Sequence, residues 1–130
     1  MQLLLTQIER GHTYDGGDAL SQVLSFEDAA QAYEEIEAMG YHEMRFDFPA
    51  EENELHWHDF DSELYVTGGE LTVWVDGEDD LFTCHRGAKI VATGGTIHRE
   101  QTSGYSAVIG VSVAPESQTQ PINKPLPVTL

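Results

Sequence analysis

His56-Trp57-His58-Asp59-Phe60-Asp61-Ser62-Glu63-Leu64-Tyr65-Val66-Thr67-Gly68-Gly69 places two histidines two positions apart, then a carboxylate, then a glycine pair. Residues two apart on a strand share a face. His56 and His58 therefore project together, while Trp57 projects the other way, toward packing or a subunit contact. The polar run Asp59 to Ser62 suits a turn into the next strand. About 35 residues after Glu63, His98 opens a further strand behind the Gly94-Gly95 turn. Three imidazoles and one carboxylate on neighbouring strands can converge inside a barrel. Such a donor set holds a first-row divalent cation and leaves one or two positions open. The candidate ligands are His56, His58, Glu63 and His98, with Asp61 as the alternative carboxylate.

The sequence around this stretch reads as β-structure. In Glu43 to Phe48, the apolar Met44, Phe46 and Phe48 alternate with charged residues, which predicts a half-buried strand that Pro49 ends. Further strands are predicted near 54–59, 63–67, 70–76, 80–84, 88–92, 97–102 and 105–113. Gly68-Gly69, Asp76-Gly77, Arg86-Gly87, Gly94-Gly95 and Ser103-Gly104 mark the turns between them. Short strands with glycine-rich turns point to a sandwich or barrel. Before them, Ser25-Phe26-Glu27-Asp28 reads as a capping box with Ser25 as N-cap. Ala29, Ala32, Tyr33, Ile36 and Met39 then recur at helical spacing up to Gly40. The expected organisation is one domain. Residues 1–41 supply a strand and a helix, 42–114 the barrel, and 115–130 a proline-rich tail that lies along the barrel or is partly disordered.

The quoted stretch is similar to the first motif of the cupin superfamily, a histidine pair followed by a glutamate and a glycine. Gly87-Ala88-Lys89-Ile90-Val91-Ala92-Thr93-Gly94-Gly95-Thr96-Ile97-His98 resembles the second, with the spacing to its histidine kept. Ala50 stands where the family has a leading glycine, Glu63 lies one residue closer to Gly69, and Thr93 and Thr102 replace a proline and an asparagine. The resemblance implies an all-β fold, a double-stranded β-helix (jelly-roll) barrel, with the N-terminal α-helix packed outside. It implies one divalent metal ion, with iron(II) favoured and zinc, manganese or nickel as alternatives, and a dioxygenase acting on a small enediol, diketone or thiol. Metal-dependent isomerase, epimerase or lyase chemistry on a sugar or keto acid, or a non-catalytic small-molecule-binding role, stay open beside it. In that setting Glu63 is also the candidate catalytic group. Phe46, Tyr65 and Glu100 are candidates for the substrate pocket, Glu100 sharing the face of His98. Pairing of two copies is expected from the family, with Leu3, Leu4 and Leu5 as a candidate exchanged arm.

Composition narrows the partners. Acidic residues outnumber basic ones 23 to 6, for a net charge of −17. Such a surface repels phosphate backbones and anionic membranes, so neither nucleic acid nor membrane is an expected partner. Cys84 is the single cysteine, which excludes an internal disulfide and a thiolate zinc site. Its neighbour His85 faces the opposite side of a strand, so Cys84 is expected to be buried and inert. The start of the chain has neither a basic flank nor an apolar run of membrane-spanning length, and a cytoplasmic protein is expected.

Overall fold

The computed structural model describes residues 8–10, 21–79 and 81–130. Leu3 to Leu5 and His12 lie outside them. Seven strands, β1 (Ile8–Arg10), β2 (Ser21–Ser25), β3 (His42–Glu52), β4 (Ser62–Val75), β5 (Leu81–His85), β6 (Ala88–Ala92) and β7 (His98–Val111), form one antiparallel sheet. Helix α1 (Ala29–Met39) is the one α-helix among the described residues. β4 organises the sheet. Its first residues pair with β6, its later ones with β5, and its other edge follows β7 over most of its length, while β7 also carries β3. No described helix is long and apolar enough to cross a membrane.

Two of the expected turns are bends inside long strands. Gly68-Gly69 pairs with Ser106 and Tyr105, and Gly104 with Glu70, across β4 and β7, with register shifts on either side. The backbones approach so closely there that a Cβ on Gly69 would lie 2.2 Å from the Gly104 carbonyl oxygen, and Gly69 has φ +77°. Glycine lets both strands turn the corner without ending, the usual reason for glycine at a barrel bend. Pro49 likewise does not stop β3. It pairs with Gly104 on the only ladder β3 makes among the described residues, an edge position where the missing N–H costs nothing. Segment 54–59 is no full strand, because only His56 and Trp57 make isolated bridges, to His98 and Lys124.

The helix starts three residues later than Ser25 predicts. Ser25 is held in β2 opposite Ala88, and Phe26 N–H bonds to the Gly87 carbonyl. Asp28 is the N-cap instead, accepting from Gln31 N–H at 2.9 Å, while the Gln31 side chain accepts from Glu27 N–H. Gly40 ends the helix with φ 72°.

Alternation along the strands divides the side chains into two groups. Leu71, Val73, Phe82, Ile90, Tyr105, Ile109 and Val111 pack with one another inside the barrel. Tyr65 and Val108 face outward and meet Phe26, Ala32 and Ile36 beneath the helix. Gly110 sits under Ile36, where a Cβ would come 2.8 Å from the Ile36 side chain. The tail follows the barrel wall: a 3₁₀ turn spans Pro115–Ser117, Lys124 bridges to Trp57, and Trp57 Nε1–H donates to the Pro125 carbonyl at 2.9 Å.

Candidate metal centre

His56, on an isolated bridge, and His98, the first residue of β7, are held by reciprocal backbone hydrogen bonds of 2.9 Å. His58, two residues on, turns to the same side. The three rings stand with centroids 4.4–5.1 Å apart. One ligand nitrogen from each lies within 4.8 Å of the others, close to the roughly 4 Å that two nitrogen donors bound at about 2.1 Å can span. In every ring Nδ1 meets a backbone carbonyl: Glu54 at 2.7 Å for His56, Ile122 at 2.9 Å for His58 and Thr96 at 2.9 Å for His98. A carbonyl only accepts, so each Nδ1 carries the proton and each neutral ring presents a lone pair at Nε2. This is the usual way a protein orients metal-binding imidazoles.

Burial favours the neutral form of His58 and His98. It pushes the His58 imidazole down to about 4, against the hydrogen bond from its own Nδ1 to Ile122, which acts the other way. Burial also lowers His98 despite the nearby Glu100 carboxylate. The Nε2 atom of His56 is buried with no hydrogen-bond partner. At 3.4 Å from it lies Glu100 Oε1, so two electron-rich atoms face each other in a buried site. A proton on Nε2 or a metal cation between the two atoms satisfies the pair, and the donor set of three histidines beside a carboxylate fits a divalent metal.

The expected carboxylate ligand does not join this group. Ser62 and Leu64 line the barrel interior, so Glu63 between them points outward. There Glu63 Oε1 lies 2.7 Å from the Tyr65 hydroxyl and 3.1 Å from Lys89 Nζ. Lys89 also meets Glu35 of the helix at 2.7 Å. Tyr65, expected in the pocket, lies in the same outward network by the same alternation. Asp61 is elsewhere too, accepting from Gly94 N–H at 2.7 Å and so pinning the turn ahead of His98. The carboxylate beside the histidines is Glu100, two residues beyond His98 and on its face. Asn53 orients it: Asn53 Nδ2 donates to Glu100 Oε1 at 3.0 Å, and Glu100 N–H donates to Asn53 Oδ1 at 2.7 Å.

His58, His98 and Glu100 open onto a cavity of about 470 Å³ in the barrel, which Phe46 also lines. Ile122 and Gln118 of the tail close one side of it. Trp57 is buried away from the cavity, and Arg99 stacks 3.9 Å over the Trp74 ring. Cys84 is buried and its thiol is pushed up to about 12 by burial. His42 and His85 stand apart from the cluster, and His85 Nδ1 is 3.9 Å from Glu70. The share of the tail in the site, through the Ile122 carbonyl, had no signal in the sequence beyond the proximity any C-terminal segment can have.

Sheet, outer helix and inward histidines together make an antiparallel β-barrel with a cluster of three histidines. No known family model matches the chain, and no curated protein matches it. Among solved structures it is similar to a DUF861 family protein from Thermotoga maritima, at 10% identity and TM-score 0.52, over 72% of this chain and 99% of that one. It is also similar to a protein of unknown function from Vibrio parahaemolyticus (17% identity, TM-score 0.48, 81% and 98%). A third similar structure is an RmlC-like cupin from Shewanella frigidimarina (22% identity, TM-score 0.45, 74% and 77%).

Proposed function

We propose that the protein is a cytoplasmic, mononuclear metal-dependent enzyme of dioxygenase type. His56, His58 and His98 hold one divalent cation, Glu100 serves as the adjoining carboxylate, and iron(II) is the cation we assign. The observation that carries this reading is the buried Nε2 of His56, which has no hydrogen-bond partner and faces the Glu100 carboxylate, beside rings whose Nδ1 protons are already committed to carbonyls. Bound there, iron(II) supplies Lewis acidity and an electron source for dioxygen chemistry on a chelating substrate.

The chain's own groups do the remaining work. The carbonyls of Glu54, Ile122 and Thr96 fix ring orientation. Asn53 holds Glu100 where its carboxylate can take a proton from an enediol, diketone or thiol entering the cavity. The apolar wall excludes water from that transfer. Oxygen uptake by iron-loaded protein over an enediol, diketone and thiol panel tests the reading. Substrate-dependent uptake that vanishes in His58→Ala is expected. Turnover without oxygen consumption would replace it with isomerase or lyase chemistry.

A further inference from the structure

The cavity has a chemical bias of its own. Its wall is mostly aliphatic and aromatic, built from side chains such as Met44, Phe48, Leu64, Val73, Phe82 and Ile109, with Asn53, Ser62, Thr102 and polar residues of the tail making up the neutral polar part. The ionisable groups on it among the described residues are His58, His98, Glu51, Glu100 and Tyr105, and no lysine or arginine side chain lines it. Four described basic side chains are engaged elsewhere, and Arg86 is exposed outside the cavity lining. Arg45 lies over Tyr33, Arg99 over Trp74 and Lys89 between Glu35 and Glu63, while Lys124 bonds to the Thr119 and Pro121 carbonyls. A phosphate or carboxylate on the body of a ligand, away from the histidines, would thus enter a low-dielectric space with no lysine or arginine to pair with, facing Glu51. An unpaired buried charge costs several kcal/mol. A sugar would leave its hydroxyls against hydrocarbon over most of the wall. The volume falls within the range of roughly 300–1,000 Å³ typical of small-ligand pockets.

We infer that the ligand is a small, largely apolar molecule bearing a single chelating head, a diketone or catechol type, whose body carries no carboxylate, phosphate or run of sugar hydroxyls. Its chelating head meets His58, His98 and Glu100, and its apolar body lies against the wall. This rests on the metal reading for the head, while the preference for an apolar, uncharged body rests on the wall alone.

A matched pair of probes separates the two. 1-Phenylbutane-1,3-dione and the same diketone carrying a para-carboxylate on its ring differ only in charge and the atoms that bear it. Calorimetric titration into zinc-loaded protein, which is redox-inert, is expected to show the uncharged diketone binding about a hundredfold more tightly. Gln120→Arg, a substitution at an exposed tail residue on the cavity rim, adds a cation without disturbing the core and is expected to shrink that gap at least tenfold. Equal or tighter binding of the carboxylate form overturns the inference, as does failure of both probes to bind. The same pair titrated into metal-free protein retains the order with weaker affinities, and a reversed order there also overturns it. Zinc titration without any diketone reads the metal site separately. Stoichiometric zinc binding lost in His58→Ala, together with no diketone binding, sinks the ligand class and leaves the metal centre standing. Absent zinc binding with the diketone preference intact does the opposite.

Discussion

His58 shows how the fold prepares a ligand before any cation arrives. Its Nδ1 proton is spent on the Ile122 carbonyl, and burial disfavours the imidazolium. Its ionisation constant is lower folded than unfolded, so the unfolded chain binds the extra proton first. Metal-free protein therefore loses stability as pH falls from about 6.5 toward about 4. NMR titration of the metal-free protein is expected to show the His58 ring neutral at pH 5, and a ring already protonated at pH 6 would contradict the burial argument. The carboxylates make a sharper contrast. Glu100→Gln is expected to weaken zinc binding about ten- to a hundredfold, while Glu63→Gln leaves it within a few-fold, measured by competition with a chromophoric chelator. The opposite result would return Glu63 to the ligand set. The histidines were legible in the sequence because strand periodicity alone aligns His56 with His58 and the turn glycines place His98. The carboxylate was not, because spacing from His58 cannot say on which residue β4 begins. Beginning at Ser62 puts every odd-numbered residue up to Tyr65 on the outer face, Glu63 included.

That outward turn of Glu63 gives the helix its anchorage. Lys89 bridges Glu35 of α1 and Glu63 of β4, and the single proton of the Tyr65 hydroxyl is shared between the two carboxylates at 2.8 and 2.7 Å. With Lys89 truncated, Glu63, 8% exposed, is left as a nearly buried carboxylate without its cation. Lys89→Ala is expected to cost about 3 kcal/mol in urea unfolding. The paired replacement Lys89→Met with Glu63→Gln should recover most of that loss, and a double variant as unstable as the single one would show that the ion pair is not the cause. Burial alone would raise the Glu35 carboxyl, but hydrogen bonds from Lys89, Tyr65 and Gln31 outweigh it and hold the group below its ordinary 4.5. Its contribution is therefore complete above that pH and fades below it, so the helix should loosen first on acidification. The helix itself was legible to its last residue from its period and Gly40. Its first residue was not, since Ser25 and Asp28 are both good caps and only the pairing of β2 with β6 decides between them. The long β4 and β7 were hidden for a related reason: a glycine pair marks a hairpin and a barrel corner alike, and only the facing strand tells them apart.

For the whole molecule, charge sets the conditions under which the barrel is stable. A net charge of −17 over 130 residues is self-repulsive in the compact state, and the repulsion is screened by salt. The described ion pairs differ in how salt reaches them. Arg45–Glu43 and Arg99–Glu52 lie at the surface and contribute little. The Lys89 pairs are shielded by the helix, with the Lys89 side chain 13% exposed, and should respond weakly. Repulsion among the remaining acids is the larger salt-sensitive quantity, so it fixes the sign of the response. Raising sodium chloride from about 0.01 M to about 1 M shortens the Debye length from roughly 30 Å to 3 Å. The melting temperature is expected to rise by several degrees, equivalent to about 1–2 kcal/mol for a domain of this size. Chloride is the appropriate anion because sulfate strengthens apolar burial by exclusion and would imitate the effect. A melting temperature that falls with sodium chloride would mean that surface pairs outweigh repulsion.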